Sequence, residues 1–194
     1  ISYTASHYYR KSWLEKTSAE LASLADSRKE TITLFLQNQE NLLAGFVKLY
    51  SLEHLSVQGN LEQVFSFINR SGVIVDLGVI GSDGRHISYV GPYQSKLADK
   101  NYSEAEWFIE VMRNNRYVSD VFSGYRNVPH FIVAVTAPDR SWIMRATINS
   151  ELFNSLLASA RVGPGGDAYI VNRKGELQTP SLLGTGALPA GELK

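Results

Sequence analysis

The sequence predicts an α+β fold, in which one antiparallel sheet carries helices gathered around it. Three observations carry that expectation. Tyr3 to about Leu52 contains no proline, and its apolar residues recur at helical steps. Tyr117 to Asn149, YVSDVFSGYRNVPHFIVAVTAPDRSWIMRATIN, reads as three strands in a row joined by short turns, the pattern of a meander. Val73 to Val90 reads as a hairpin turned at Ser82-Asp83-Gly84-Arg85, where the Asp-Gly pair favours positive φ.

Taken in order, the first element is a long helix whose apolar positions include Leu14, Leu21, Leu24, Ile32, Phe35, Leu36, Leu42, Leu43, Phe46 and Leu49, with the first glycine at Gly45. Unbroken, it would be about 70 Å long at 1.5 Å per residue and must run past its own domain as a stalk or spine. The alternative is two helices with a break near Asp26-Ser27. Ser56 to Asn60 interrupts the pattern, and Leu61 to Asn69 predicts a short amphipathic helix. The hairpin follows, then a loop through Asp99-Lys100-Asn101-Tyr102. Ser103 with Glu106 makes a capping box for a helix over Glu104 to Asn114, with Trp107, Phe108, Val111 and Met112 inward. The meander strands are Tyr117 to Tyr125, His130 to Thr136 and Trp142 to Ile148. Asn149 or Ser150 caps a helix over Glu151 to Ala160. Val162 to Gly166 is a hinge. Asp167 to Asn172 and Glu176 to Thr179 predict a second hairpin around Arg173-Lys174-Gly175, an echo of the first. Ser181 to Lys194 has no strong pattern. Three parts result: a stalk helix over residues 1–55, a domain over 56–160, and a linker with the start of a second unit over 161–194.

The meander has unlike faces, because alternate residues point to opposite sides. Phe131, Val133 and Val135 with Trp142, Met144, Ala146 and Ile148 make a core face. His130, Ile132, Ala134 and Thr136 with Ile143, Arg145 and Thr147 make a mixed face, either solvated or lining a pocket. Composition bounds the function. The chain of 194 residues is 44% hydrophobic with a formal net charge of zero, which suits a globular core and argues against a nucleic-acid partner. Without cysteine, disulfides and thiolate metal sites are excluded. His7, His54, His86 and His130 lack metal-ligand spacing. No nucleophile elbow or P-loop occurs, and GPGGD at Gly163 to Asp167 lies between helix and strand, the wrong order for cradling phosphate. Neither a cofactor, a metal nor a catalytic residue is expected. Starting at Ile1 without methionine, the chain is expected to be a segment of a larger protein.

The words VIGSDGRHISYVGPY, KNYSEAEWFIEVM, YVSDVFSGYRNVPHFIVAV, WIMRATINSELF and GDAYIVNRKGELQTPS, in this order, resemble the extracytoplasmic sensor modules called double Cache domains, which are PAS-like. The resemblance covers almost the whole chain and points to bacterial membrane-bound sensor histidine kinases. It implies a long helix rising from the membrane, a membrane-distal PAS-like domain, and here only the first hairpin of a membrane-proximal one. It also implies a small ligand between the sheet and a cover running from Tyr93 to Met112. A branch of the family that binds amino acids wants an arginine two residues before the tryptophan of the covering helix, a tyrosine just after it, and an aspartate late in the last strand. Ala105, Phe108 and Thr147 stand at those places, so that motif is absent.

The candidate ligand-binding residues are Tyr89, Tyr93, Trp107, Phe108, Tyr125, Arg126, His130, Arg145 and Thr147. Adjacent on a helix, Trp107 and Phe108 are expected to point at most one side chain directly into the core, leaving the other to close a pocket. Arg126 offers a bidentate fork for an anion, or is a surface arginine on a turn. His130 can donate to a ligand, or be a satisfied edge histidine. Arg145, mid-strand between Met144 and Ala146, needs water or a partner: a ligand carboxylate, Asp120 or Glu151. Tyr89 and Tyr93 are hydroxyl donors or rim residues. The expectation is a periplasmic or extracellular small-molecule-sensing domain of an inner-membrane sensor histidine kinase. This part is not itself an enzyme, and two copies would pair through the long helix. The alternatives are the sensor of a chemotaxis receptor or diguanylate cyclase, or a ligand-free dimerisation spacer.

Overall fold

A computed structural model describes residues 2–126, 128–163 and 165–181, with the side chains of residues 2–5 and of Arg126 outside that description. The helix α1 (Ser2–Leu49) is continuous for 48 residues, about 72 Å at the helical rise, with no break at Asp26-Ser27. Its first turns project into solvent, supported by exposed Lys11–Glu15 and Lys16–Glu20 pairs at 3.9 Å, each worth only a few tenths of a kcal/mol. It joins the core along its C-terminal part, where Leu43, Ala44 and Val47 are buried and Ile32, Phe35, Leu36, Leu42 and Phe46 pack beside them. Ser51 then caps the one-turn α2 (Leu52–Ser56), its hydroxyl accepting from the His54 amide. The helix α3 (Gln58–Ile68) buries Leu61, Val64 and Ile68 at helical spacing.

The sheet has five antiparallel strands: β1 (Ile74–Gly81), β2 (His86–Val90), β3 (Arg116–Val118), β4 (His130–Thr136) and β5 (Trp142–Asn149). Their spatial order is β2-β1-β5-β4-β3, so the hairpin docks against the last strand of the meander. One face carries Leu77, Val79, Phe131, Val133, Met144, Ala146 and Ile148. It packs on α1, α3 and α6 (Glu151–Ala158), with Phe153 of α6 stacked on Phe131 at 4.7 Å. Each residue of β4 and β5 except Asn149 is buried, so the mixed face is covered rather than solvated. The cover is the short α4 (Gln94–Leu97), in what the sequence suggests is loop, and α5 (Glu106–Asn114). Against it lies a second apolar cluster of Ile80, Ile132, Ala134 and Ile143 with Tyr102, Trp107, Phe108 and Val111.

Several details differ from the sequence reading. The helix α5 starts at Glu106 with Ala105 at its N-cap and no side-chain cap. The Ser103 amide donates instead to Asn101 Oδ1, and the Ala105 amide to the Tyr102 carbonyl, so a turn occupies the residues of the expected capping box. The strand expected over Tyr117 to Tyr125 stops at Val118, because the Ser119 hydroxyl takes the Ile132 amide in place of a backbone carbonyl. The chain swings out and returns in an isolated bridge between Phe122 and His130, then a 3-10 turn at Gly124–Arg126. The second hairpin reaches only a single bridge, Val171 to Leu177, around its turn. Asn172 Oδ1 accepts from the Lys174 and Glu176 amides there and locks the turn locally. Residues 182–194 of the tail lie outside the described residues.

Candidate functional site

The mixed face, the helix α5 and the out-swung segment after β3 enclose a cavity of about 470 Å3. The register of the strands builds its floor. Arg145 on β5 stands opposite Ala134 on β4 and Gly78 on β1, two residues with almost no side chain. Space above those strands is therefore left to the guanidinium. The Arg145 side chain is 3% exposed, and its Nη2 lies 3.6 Å from Oδ1 of the fully buried Asp76. Its guanidinium sits 5.0 Å from the Tyr102 ring centre and 5.5 Å from that of Trp107. Its Nε and Nη2, and the buried Tyr102 hydroxyl, make no hydrogen bond among the described residues. A buried donor left without an acceptor costs about 1–3 kcal/mol, so these groups favour a polar occupant.

The walls are aromatic: Tyr102, Trp107, Tyr117, Phe122 and Tyr125. His130, at 6% exposure, sits 2.7 Å from the Val128 carbonyl through Nδ1, which assigns the proton to that nitrogen. Its ring packs on Phe122 at 4.5 Å. Gly124, at φ +52, lets the chain close over both rings, since a Cβ there would lie 3.0 Å from Phe122 and 3.1 Å from His130. The exposed carboxylates Glu106 and Asp120 stand at the mouth. There the Tyr117 hydroxyl is held above its ordinary pKa, first by burial and then by the charges of Glu106, Asp120 and Glu110.

Of the nine sequence candidates, the structure brings Trp107, Tyr125, His130 and Arg145 to this cavity. Arg126 follows Tyr125 in the same turn, and its side chain lies outside the described residues. Phe108 is buried beside Trp107 and packs edge-on to it at 5.8 Å. Both adjacent aromatics are buried in one cluster with Tyr102, Ile132 and Ile143, but of the two only Trp107 lines the cavity. Thr147 is buried on the cavity face opposite Ile132 and Asp76 but does not line the space. Tyr89 lines a separate cleft of about 210 Å3 with His86 and Gln94, and its hydroxyl accepts from the Tyr93 amide. The partner of Arg145 is Asp76, rather than Asp120 or Glu151. Asp120 is at the rim, and Glu151 opens α6, its amide bound by Asn149. Sequence reasoning missed Tyr102, Asp76, Ser119 and Glu106. Asp76 carried a usable signal, being the one charge inside the run Ile74 to Ile80.

No protein-family model and no curated protein sequence matches the chain. Solved structures do. The sensory domain of the Campylobacter jejuni chemoreceptor Tlp3 superposes with a TM-score of 0.67 at 14% identity, covering 88% of this chain and 74% of that one. The extracellular domain of the putative histidine kinase rpHK1S-Z16 gives a TM-score of 0.67 at 19% identity, over 84% of this chain and 70% of that one. The ligand-binding domain of the Pseudomonas fluorescens chemoreceptor CtaA, solved with L-isoleucine, gives 0.57 at 10% identity, over 80% of this chain and 64% of that one. The chain shares the PAS-like fold of these domains. In this fold the cavity lies between the central sheet and its helical cover, and among the described residues no helix is long and apolar enough to cross a membrane.

Proposed function

We propose that this chain is the extracytoplasmic small-molecule-sensing domain of a membrane-anchored bacterial receptor, with the ligand held between the sheet and α5. One observation carries the reading: an arginine at the floor of an aromatic cavity, almost fully buried and ion-paired to Asp76, with two nitrogens that make no hydrogen bond among the described residues. A spacer module would have closed that space or satisfied those donors. The output we propose is a two-component histidine kinase, a phosphoryl transferase lying outside this chain, supported by the likeness to rpHK1S-Z16 and by the sequence resemblance. A chemoreceptor output is the second reading, supported by the likeness to Tlp3 and CtaA, structures of which hold amino acids. In either case the long helix carries a shift in conformational equilibrium toward the membrane and pairs with a second copy. That shift is no larger than the ligand's differential affinity for the two states.

The test is a thermal-shift screen against amines, amino acids, organic acids and sugars. A ligand at about 100 times its Kd adds roughly 2.7 kcal/mol, or about 5–10 °C for a chain of this size. Tyr125 is half exposed, at 53%, so Tyr125→Ala should abolish the shift while leaving the unliganded Tm in place. A shift that survives Tyr125→Ala would move binding elsewhere. A flat screen would favour the spacer.

A further inference from the structure

We propose that the cavity takes a small organic cation of net charge +1, an ammonium group with a neutral acceptor such as a hydroxyl or carbonyl a few bonds away, rather than an amino acid or an organic acid. The inference rests on the sensing reading above and specifies the charge of its ligand.

Charge bookkeeping decides it. The charged residues among the described lining are Arg145, Glu106 and Asp120. The positive charge of Arg145 is already matched by Asp76, whose side chain is fully buried 3.6 Å away. A ligand carboxylate docked on Arg145 would bring a second anion beside Asp76 in a space where like charges are poorly screened. The Arg145 Nε and Nη2 and the Tyr102 hydroxyl, which lack a hydrogen bond among the described residues, therefore select an acceptor that carries no charge. At the mouth the balance reverses. Glu106 and Asp120 have no ion pair among the described residues, and they stand beside the rings of Tyr117, Tyr125 and Trp107. Carboxylates with aromatic faces form the environment that an ammonium prefers. The protein's own cations show the affinity of these rings: Lys100 lies 5.1 Å from the Tyr125 ring, and Arg145 lies 5.5 Å from that of Trp107. The Tyr117 hydroxyl is held above its ordinary pKa first by burial and only then by the charges of Glu106, Asp120 and Glu110. With a monocation bound, the site carries less net charge than before; a zwitterion leaves it unchanged, and an anion adds to it.

Isosteres of different charge test this by calorimetric titration of the chain. Choline and 3,3-dimethyl-1-butanol share a shape and differ by one positive charge; glycine betaine and 3,3-dimethylbutyrate repeat the comparison with a carboxylate. Choline is expected to bind about tenfold or more tighter than its uncharged isostere, and tighter than both carboxylates. Glu106→Gln with Asp120→Asn, isosteric changes at exposed positions, should bring the choline preference close to one. Tighter binding of betaine or dimethylbutyrate than of choline would overturn the proposal. So would an amino acid or organic acid that binds where choline does not, and in both cases the sensor reading stands. If neither these probes nor the wider screen binds, both readings fall together.

Discussion

At the residue scale the pair of Arg145 and Asp76 matters because each ion balances the other's charge. Two ions are held out of water, and neither alone would be tolerated. Arg145→Met alone, or Asp76→Asn alone, should therefore cost about 3–5 kcal/mol in urea unfolding. Asp76→Leu combined with Arg145→Met should recover most of that, because shape is restored with no charge to solvate. Simple addition of the two single losses would show that the residues are not coupled. Tyr117 makes a second prediction. Its folded pKa is above the ordinary 10.0, so the native state holds the proton more tightly than the unfolded chain does. Its stabilising contribution is then fully present below pH about 10 and is lost as pH rises through the folded value. Absorbance titration of phenolate, wild type against Tyr117→Phe, isolates its midpoint. Glu106→Gln and Asp120→Asn should each lower that midpoint without returning it to 10.0, since burial is the larger cause. An unmoved midpoint would deny that these carboxylates set the potential at the mouth.

At the scale of elements, the hairpin turn does more than reverse the chain. The Gly84 carbonyl accepts from the Tyr102 amide at 2.9 Å, and the Asp83 carbonyl from Asn101 Nδ2 at 3.1 Å, so the turn anchors the cover on the sheet. Gly84 has φ +82, and a Cβ there would lie 2.5 Å from the Ser103 amide nitrogen. Gly84→Ala should cost roughly 2 kcal/mol or more, about 1–2 of it from the left-handed backbone alone, and should loosen Tyr102 with it. Chemical denaturation with Trp107 fluorescence as a second probe would check both. A loss confined to a few tenths would mean that the cover is not tied to the turn. The Asp-Gly signal made this hairpin legible in the sequence, and alternation did the same for the two faces of β4 and β5. What was not legible depends on tertiary partners. Nothing local says that the Ser119 hydroxyl replaces a backbone carbonyl and opens the cavity mouth, or that Ser103 gives up its cap to a turn at Tyr102. Asp76 faces Arg145 only through the β1–β5 pairing, which joins residues far apart in the chain.

Across the whole molecule, two elements reach away from the cavity. Leu43, Ala44 and Val47 of α1, with Ile32, Phe35, Leu36, Leu42 and Phe46 beside them, pack beneath the sheet on the side opposite α5, while the N-terminal part of the helix extends outward. The segment after α6 returns to the rim itself. Asn172 Nδ2 donates to Asp120 Oδ2 at 2.8 Å, and the Val121 amide donates to Gln178 Oε1 at 2.6 Å. Asp120 thus faces the cavity and the C-terminal segment at once, so an occupant that engages it competes with Asn172 for the same carboxylate. The out-swung segment from Ser119 to Val121 makes few ladder bonds of its own, which places it among the regions that open locally at low free energy. Gln178→Ala removes the acceptor of the Val121 amide, an interaction worth about 1 kcal/mol. Hydrogen exchange at Val121 should then speed up about fivefold, with amides of β4 and β5 unchanged. Equal acceleration across the sheet would mean that Gln178 supports global stability instead. An unaltered Val121 would mean that the rim is held from the sheet side, and that the C-terminal segment is a passenger rather than a route out of the site.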